Sequence, residues 1–193
     1  MTMKMTVTIL TIGHSNHDWP TFQRLLEIAA IQTIIDVRSF PTSRLAHFHG
    51  PALKERLAFH QIAYAYLGDQ LGGRPREGGA LDYEQMAKRP EFDEGVKRVI
   101  DISRNRRAAL LCSEHEPLTC HRCLLVGREL ARRGAEVAHV LRNGSIEAHK
   151  ATEDRLLTLA RSKTSDLFAS REEELAKAYR AQAARLAKGS RLR

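Results

Sequence analysis

Most of the side chains able to do chemistry in this sequence fall in one short run, Cys112-Ser-Glu-His-Glu-Pro-Leu-Thr-Cys-His-Arg122. It joins an apolar segment to an amphipathic one. Thr119 is the expected N-cap of the helix that follows, which puts Cys120, His121 and Arg122 in its first turn. Unpaired backbone N–H groups and the positive end of the helix dipole favour negative charge there. Two consequences follow. A thiolate at Cys120 is stabilised, and an anionic substrate group can dock on the same amides, with Arg122 as a two-pronged clamp and His121 beside it. Glu114 reads either as a general acid or base or as an ion-pair partner of Arg122 or Arg38. Cys112 ends a buried strand, so a small core residue, a nucleophile and a metal ligand all stay open. Cys123 falls with Val126 and Leu130 on the apolar helix face and reads as core.

Two other places carry reactive groups. His14 and Ser15 follow Gly13 in a tight turn, and Asp36 and Arg38 lie two residues apart on one side of a strand. An Asp36–Arg38 ion pair competes there with proton transfer and anion binding. Cys112, His115, Cys120 and His121 are acceptable zinc ligand types. Their C-x2-H-x4-C-H spacing is not a familiar finger or ribbon, however, and adjacent residues on a helix diverge by about 100°. No metal is therefore assigned and no cofactor is required. A thiol redox role is disfavoured, because His121 and Arg122 separate Cys120 from an inward-facing Cys123.

The elements that must position these groups alternate between short apolar runs and helical periodicity. Strands are expected at 7–12, 33–37, 62–67, 108–112 and 137–141. Asp18 caps a first helix with Pro20 in its first turn. Others follow from Pro51, near 82–88 and 92–103, and from His121 to Arg133, where Gly134 stops the chain. Residues 74–81 read as a breaker-rich loop, and 151–187 as mostly helical. Strands separated by helices imply right-handed crossovers. The expected fold is α/β: a three-layer, mainly parallel five-stranded sheet flanked by helices, over residues 1–160, with a C-terminal helical extension and basic tail at 161–193. In such sheets ligands bind beyond the carboxyl ends of the strands, where the reactive groups are expected to share a pocket.

Several of these segments resemble the conserved blocks of the domain of unknown function family 488. They are Thr11-Ile-Gly-His-Ser15, Asp36-Val-Arg-Ser-Phe-Pro41 with Ser43-Arg44 and Phe48, Leu67-Gly68 with Leu71-Gly-Gly73, and Cys112-Ser-Glu114 with Cys120-His-Arg122. His139-Val140 and Asn143-Gly-Ser-Ile-Glu-Ala-His149 resemble its C-terminal block. The resemblance runs in order over roughly residues 7–160. It implies that these positions are functional candidates and supplies no substrate.

The bulk properties fit a globular protein: 193 residues, 42% hydrophobic, 28% charged. No apolar run approaches the roughly 20 residues that cross a bilayer, and no signal peptide precedes the first strand, so no membrane partner is expected. Three clustered cysteines make a poor disulfide framework and point to the cytoplasm. The net charge of +8 permits an acidic partner. The leading expectation is an enzyme, a hydrolase or transferase, acting on a small phosphorylated or nucleotide-like anion. Asp36, Glu114 and His14 would move protons, Cys120 would act as nucleophile, and Ser15, Arg38, His121 and Arg122 would hold the anion. The competing expectation is nucleic-acid binding or processing through Arg38, Arg44, Arg74, Arg76 and Arg122, stacking on Phe40, Phe48, Tyr64 and Tyr66, and the basic residues from Arg180 to Arg193. Oligomeric state is left open.

Overall fold

The computed structural model describes residues 6–74, 81–161 and 170–190. Its strands are β1 (Thr8–Gly13), β2 (Thr33–Asp36), β3 (Ala63–Tyr66), β4 (Ala108–Cys112), β5 (Glu136–Val140) and β6 (Ile146–Ala148). They form one sheet in the order β3-β2-β4-β1-β5-β6. All pairs are parallel except β5–β6, which is antiparallel. Six strands, not five, is the first correction. Asn143-Gly144 turns the chain directly back, with Gly144 at φ +86°, and Ile146 pairs with Val140. Asn-Gly is a strong hairpin signal, but a three-residue strand is too short to announce itself by alternation.

Around the sheet lie α1 (Trp19–Ile28), α2 (Gly50–Phe59), α3 (Gly68–Leu71), α4 (Tyr83–Met86), α5 (Pro90–Asn105), α6 (Arg128–Arg132), α7 (His149–Arg161) and α8 (Arg171–Ser190). Asp18 caps α1 as expected, accepting from the Thr21 N–H. Alternation along the strands divides the core between two faces. Leu10, Ile12, Ile34, Ala109 and Leu111 pack with Phe22, Leu26, Leu53 and Leu57 from α1 and α2. Ile9, Ile35, Ala108 and Leu110 pack with Val96 and Val99 of α5, Leu130 of α6, Leu156 of α7 and Tyr179 of α8. This is a three-layer α/β/α arrangement. At about 1.5–3 kcal/mol for each fully buried large aliphatic side chain, the two faces anchor the sheet firmly enough to hold a site at its edge.

The strand order also locates that edge. After β1 the chain moves to β2, beyond β4; after β4 it moves to β5, on the far side of β1. The connections leave in opposite directions, so the crevice where such folds bind ligands lies at the carboxyl ends of β1 and β4. Those ends are Gly13 and Cys112. No described helix is long and apolar enough to cross a membrane.

The helix expected from His121 differs at its start. Pro117–Thr119 is a 3-10 turn capped by Glu116, and Arg122–Gly127 is a π-helix leading into α6. The Thr119 hydroxyl donates to the Glu116 carbonyl and caps nothing. Cys120 is instead extended, with φ −135° and ψ 140°. Its carbonyl accepts from the Cys123 and Leu124 N–H groups and its sulfur from the Arg122 N–H. Cys120 thus occupies the capping position expected of Thr119, because the proline at 117 closes a separate turn first. Of the segment expected to loop, residues 75–80 lie outside the described residues, as does the tail beyond Ser190.

Candidate functional site

The predicted residues gather at the β1/β4 edge, in two groups on opposite faces of the sheet. On the α1/α2 face, Asp36 and Arg38 form the predicted ion pair, buried on both sides. Arg38 Nε and Nη2 donate to the two carboxylate oxygens, Tyr64 donates its hydroxyl to Asp36 Oδ2, and the Arg38 N–H donates to Oδ1. Arg38 Nη1 donates to the Phe48 carbonyl at 2.8 Å and faces His14 Nε2 at 3.3 Å. His14 Nδ1 faces the Ser15 carbonyl at 2.9 Å, and its ring stacks on Phe48. A carbonyl only accepts, so Nδ1 carries the proton and Nε2 receives from Arg38. Burial, then the Arg38 charge, lowers the His14 pKa to about 4. His14 is neutral at physiological pH. Ser15 holds a left-handed backbone at φ 47°, with its N–H on the Ser113 carbonyl. The donors of Arg38 and the lone pairs of Asp36 are thus directed at one another and at the protein.

On the other face, Cys112, Cys120, His121 and Glu114 meet. Cys112 Sγ lies 3.0 Å from Glu114 Oε2 and 3.5 Å from His121 Nδ1, and Cys120 Sγ lies 3.9 Å from the same nitrogen. His121 Nε2 is 2.8 Å from the Val37 carbonyl. That nitrogen therefore donates, which turns Nδ1 toward both sulfurs. Val37 precedes Arg38, so this one hydrogen bond ties the two groups together across the sheet.

Charges in this cluster perturb one another. Burial opposes ionisation of Cys120, but hydrogen bonding from Cys112, the Arg122 cation and His121 outweigh it and hold the thiol well below its usual range. Cys112 is pushed up, by burial first and then by the Cys120 sulfur. Loss of water, and next the Cys120 charge, raises the Glu114 carboxyl; Glu114 is an exposed residue whose carboxyl turns inward. Burial alone would lower His121, yet the Cys120 sulfur and the Val37 carbonyl raise it. Tyr83, buried on α4, is raised by burial and by Cys120, Cys112 and Glu114, which places it beside the group.

Arg122 is fully buried and does not project into a cleft. Its Nη1 and Nη2 donate to the carbonyls of Glu114 and His115, and its Nε donates to Thr11 Oγ1. It fixes the Cys112–Cys120 loop and supplies a positive field to it. Thr11 then hands on its own proton. Thr11 Oγ1 meets His139 Nδ1 at 2.8 Å, His139 Nε2 meets His149 Nδ1 at 2.9 Å, His149 Nε2 meets the Tyr179 hydroxyl at 3.1 Å, and Tyr179 donates to Glu153. Tyr179 and Glu153 were missed by sequence reasoning as site residues, and Thr11, His139 and His149 entered only through the family-like blocks. A histidine in an apolar strand opposite a threonine was the available signal.

Two glycines permit this packing. A methyl group on Gly13 would stand 1.7 Å from the Glu114 carbonyl oxygen, and one on Gly73 would stand 2.4 Å from the His121 ring. Gly72, the neighbour of Gly73, lines a cleft of about 370 Å³ together with Ser39, Phe40, Tyr66, Arg74 and Arg89. Arg74 and Arg89 are exposed at it, and Phe40 is 62% exposed. Arg76 lies outside the described residues. No curated protein and no solved structure matches the chain, whereas a family model described as domain of unknown function DUF488 matches residues 18–128, more than half of it.

Proposed function

This chain belongs to the DUF488 family, a domain of unknown function, and from that footing we propose that it is an enzyme of the hydrolase or transferase class acting on a small phosphorylated or nucleotide-like anion. The observation that carries the reading is a shared wall. Gly72 lines the cleft while Gly73, next in the chain, packs on His121, so the backbone at Gly72-Gly73 is what separates the cleft from the cysteine–histidine cluster. Arg74 and Arg89 offer the anion its charge-assisted hydrogen bonds, and Glu114 is the group for proton transfer. Cys112, Cys120 and His121 polarise the reacting centre. Asp36, His14 and Arg38 bind one another and act as positioning residues from the opposite face.

The test uses pyrophosphate and nucleoside diphosphates as probes in thermal-shift and calorimetric titrations. Binding is expected for the unaltered chain, with Kd weakened on the order of tenfold by Arg74→Ala or Arg89→Ala. Glu114→Gln is expected to keep binding and lose turnover. Absence of binding to every phosphate-bearing probe, or binding indifferent to both arginines, sinks the proposal. A second reading, nucleic-acid binding, draws on Phe40 exposed at the same cleft as these arginines and on the +8 charge. It requires affinity for single-stranded nucleic acid that falls steeply with salt; no binding at low salt removes it.

A further inference from the structure

The geometry points to a metal site at Cys112, Cys120 and His121, taking a zinc-like divalent cation through two sulfurs and one nitrogen. The three ligand atoms all lie within 4.8 Å of one another. Around tetrahedral zinc, with bonds of about 2.3 Å to sulfur and 2.0–2.1 Å to nitrogen, ligand atoms stand roughly 3.5–3.8 Å apart. Cys112 Sγ and His121 Nδ1 are 3.5 Å apart and Cys120 Sγ and Nδ1 3.9 Å, so binding demands movements of a few tenths of an ångström at most along those two edges.

Two further features belong to ligands and not to idle core residues. The Val37 carbonyl takes the Nε2 proton of His121 and so fixes the ring with Nδ1 toward the sulfurs; metal-bound imidazoles are anchored in this way. The Arg122 N–H lies on Cys120 Sγ at 3.4 Å, a contact that orients a thiolate. The objection that neighbouring residues on a helix diverge does not apply to Cys120 and His121. Cys120 is extended and precedes the helix, which swings its sulfur back toward the ring.

A second buried trio, Cys123, His139 and His149, is equally close. Its two imidazoles are hydrogen-bonded to each other at 2.9 Å and to Thr11 and Tyr179 on their outer nitrogens. Their lone pairs are already used, so this trio serves as an internal control.

Three protein ligands leave one position for water or substrate, the pattern of catalytic zinc centres as opposed to structural ones. Glu114, 3.0 Å from Cys112 Sγ, is a carboxylate in contact with the ligand set and would serve the proton transfers of a group bound there. Only this last step rests on the enzymatic reading above; the metal site itself does not.

The test is titration of the reduced full chain with Co²⁺ and then Zn²⁺, followed by absorption and metal content. One equivalent is expected, with thiolate-to-cobalt charge-transfer absorption that zinc abolishes. Cys112→Ser and Cys120→Ser should each weaken binding by more than the roughly 10–100-fold that loss of an outer partner costs, while Cys123→Ser should leave it unchanged. If a serine variant fails to fold by circular dichroism, the unaltered chain decides alone. No charge-transfer absorption at one equivalent overturns the site, and so does its loss in Cys123→Ser. Neither readout needs a substrate. A chain that binds metal but no phosphate probe refutes the enzymatic reading alone; one that turns over a probe but gives no charge-transfer absorption with cobalt refutes the metal site alone.

Discussion

At the scale of single residues, the Asp36–Arg38 pair governs the α1/α2 face of the site. Both members are buried, and every carboxylate oxygen has a named donor. Such a pair is expensive to break from one side, because the surviving charge is left in a medium that cannot solvate it. Asp36→Asn is expected to cost about 3–5 kcal/mol of stability, measured by denaturant unfolding. A cost under about 1 kcal/mol would mean that water reaches Arg38. The pairing itself was legible, since residues two apart on a strand share a face. That Arg122 would also turn inward was not. A sequence lists a cation without saying whether carbonyls or a ligand will take its protons, and the Glu114 and His115 carbonyls claim those of Arg122.

At the scale of elements, the loop between β4 and the π-helix depends on the end of β1. Gly13 lets the Glu114 carbonyl approach where any Cβ would collide with it, and Gly13 itself pairs with Cys112. Gly13→Ala is therefore expected to shift the loop and expose the cysteines. The readout is the rate of labelling by a thiol reagent without denaturant, predicted to rise by at least about tenfold, the factor that corresponds to 1.4 kcal/mol of easier opening. Unchanged labelling would show that the strand and the loop adjust independently. The β4 strand, the α1 cap and the Gly134 stop were readable from pattern alone. The Pro117 turn was misread because two short helical elements in succession look like one helix with an early cap. The π-helix has no sequence signature and follows from packing, as its six residues are all buried.

At the scale of the whole molecule, the polar interior links the site to the C-terminal helix. His149 is 5% exposed, and burial lowers its pKa from 6.5 to about 4; His139 shifts in the same direction, from burial and then from His149. Between these pKa values the unfolded chain binds a proton that the folded one refuses. Stability is thus complete above about pH 6.5 and declines as pH falls toward about 4, by about 3 kcal/mol for His149 alone. Denaturant midpoints across pH 4–7 check this, and His149→Gln should flatten the slope. A midpoint independent of pH in that window would refute the neutral pair. The layers and the parallel core of the sheet were legible from the alternation of strand and helix. The division of the reactive groups between two faces was not, because it depends on the register at which β1, β2 and β4 end.

The series from Arg122 through Thr11, His139, His149 and Tyr179 to Glu153 has a direction. It begins at a group that can only give protons and ends at one that, ionised, can only receive them. Every hydroxyl and imidazole between is therefore oriented the same way, like compass needles between two poles. Reversing any one would set two donors or two acceptors head to head. Helix α7, which carries Glu153, is in this sense an electrical terminal of the loop that carries Cys112 and Cys120, reached through Tyr179 of the C-terminal helix α8.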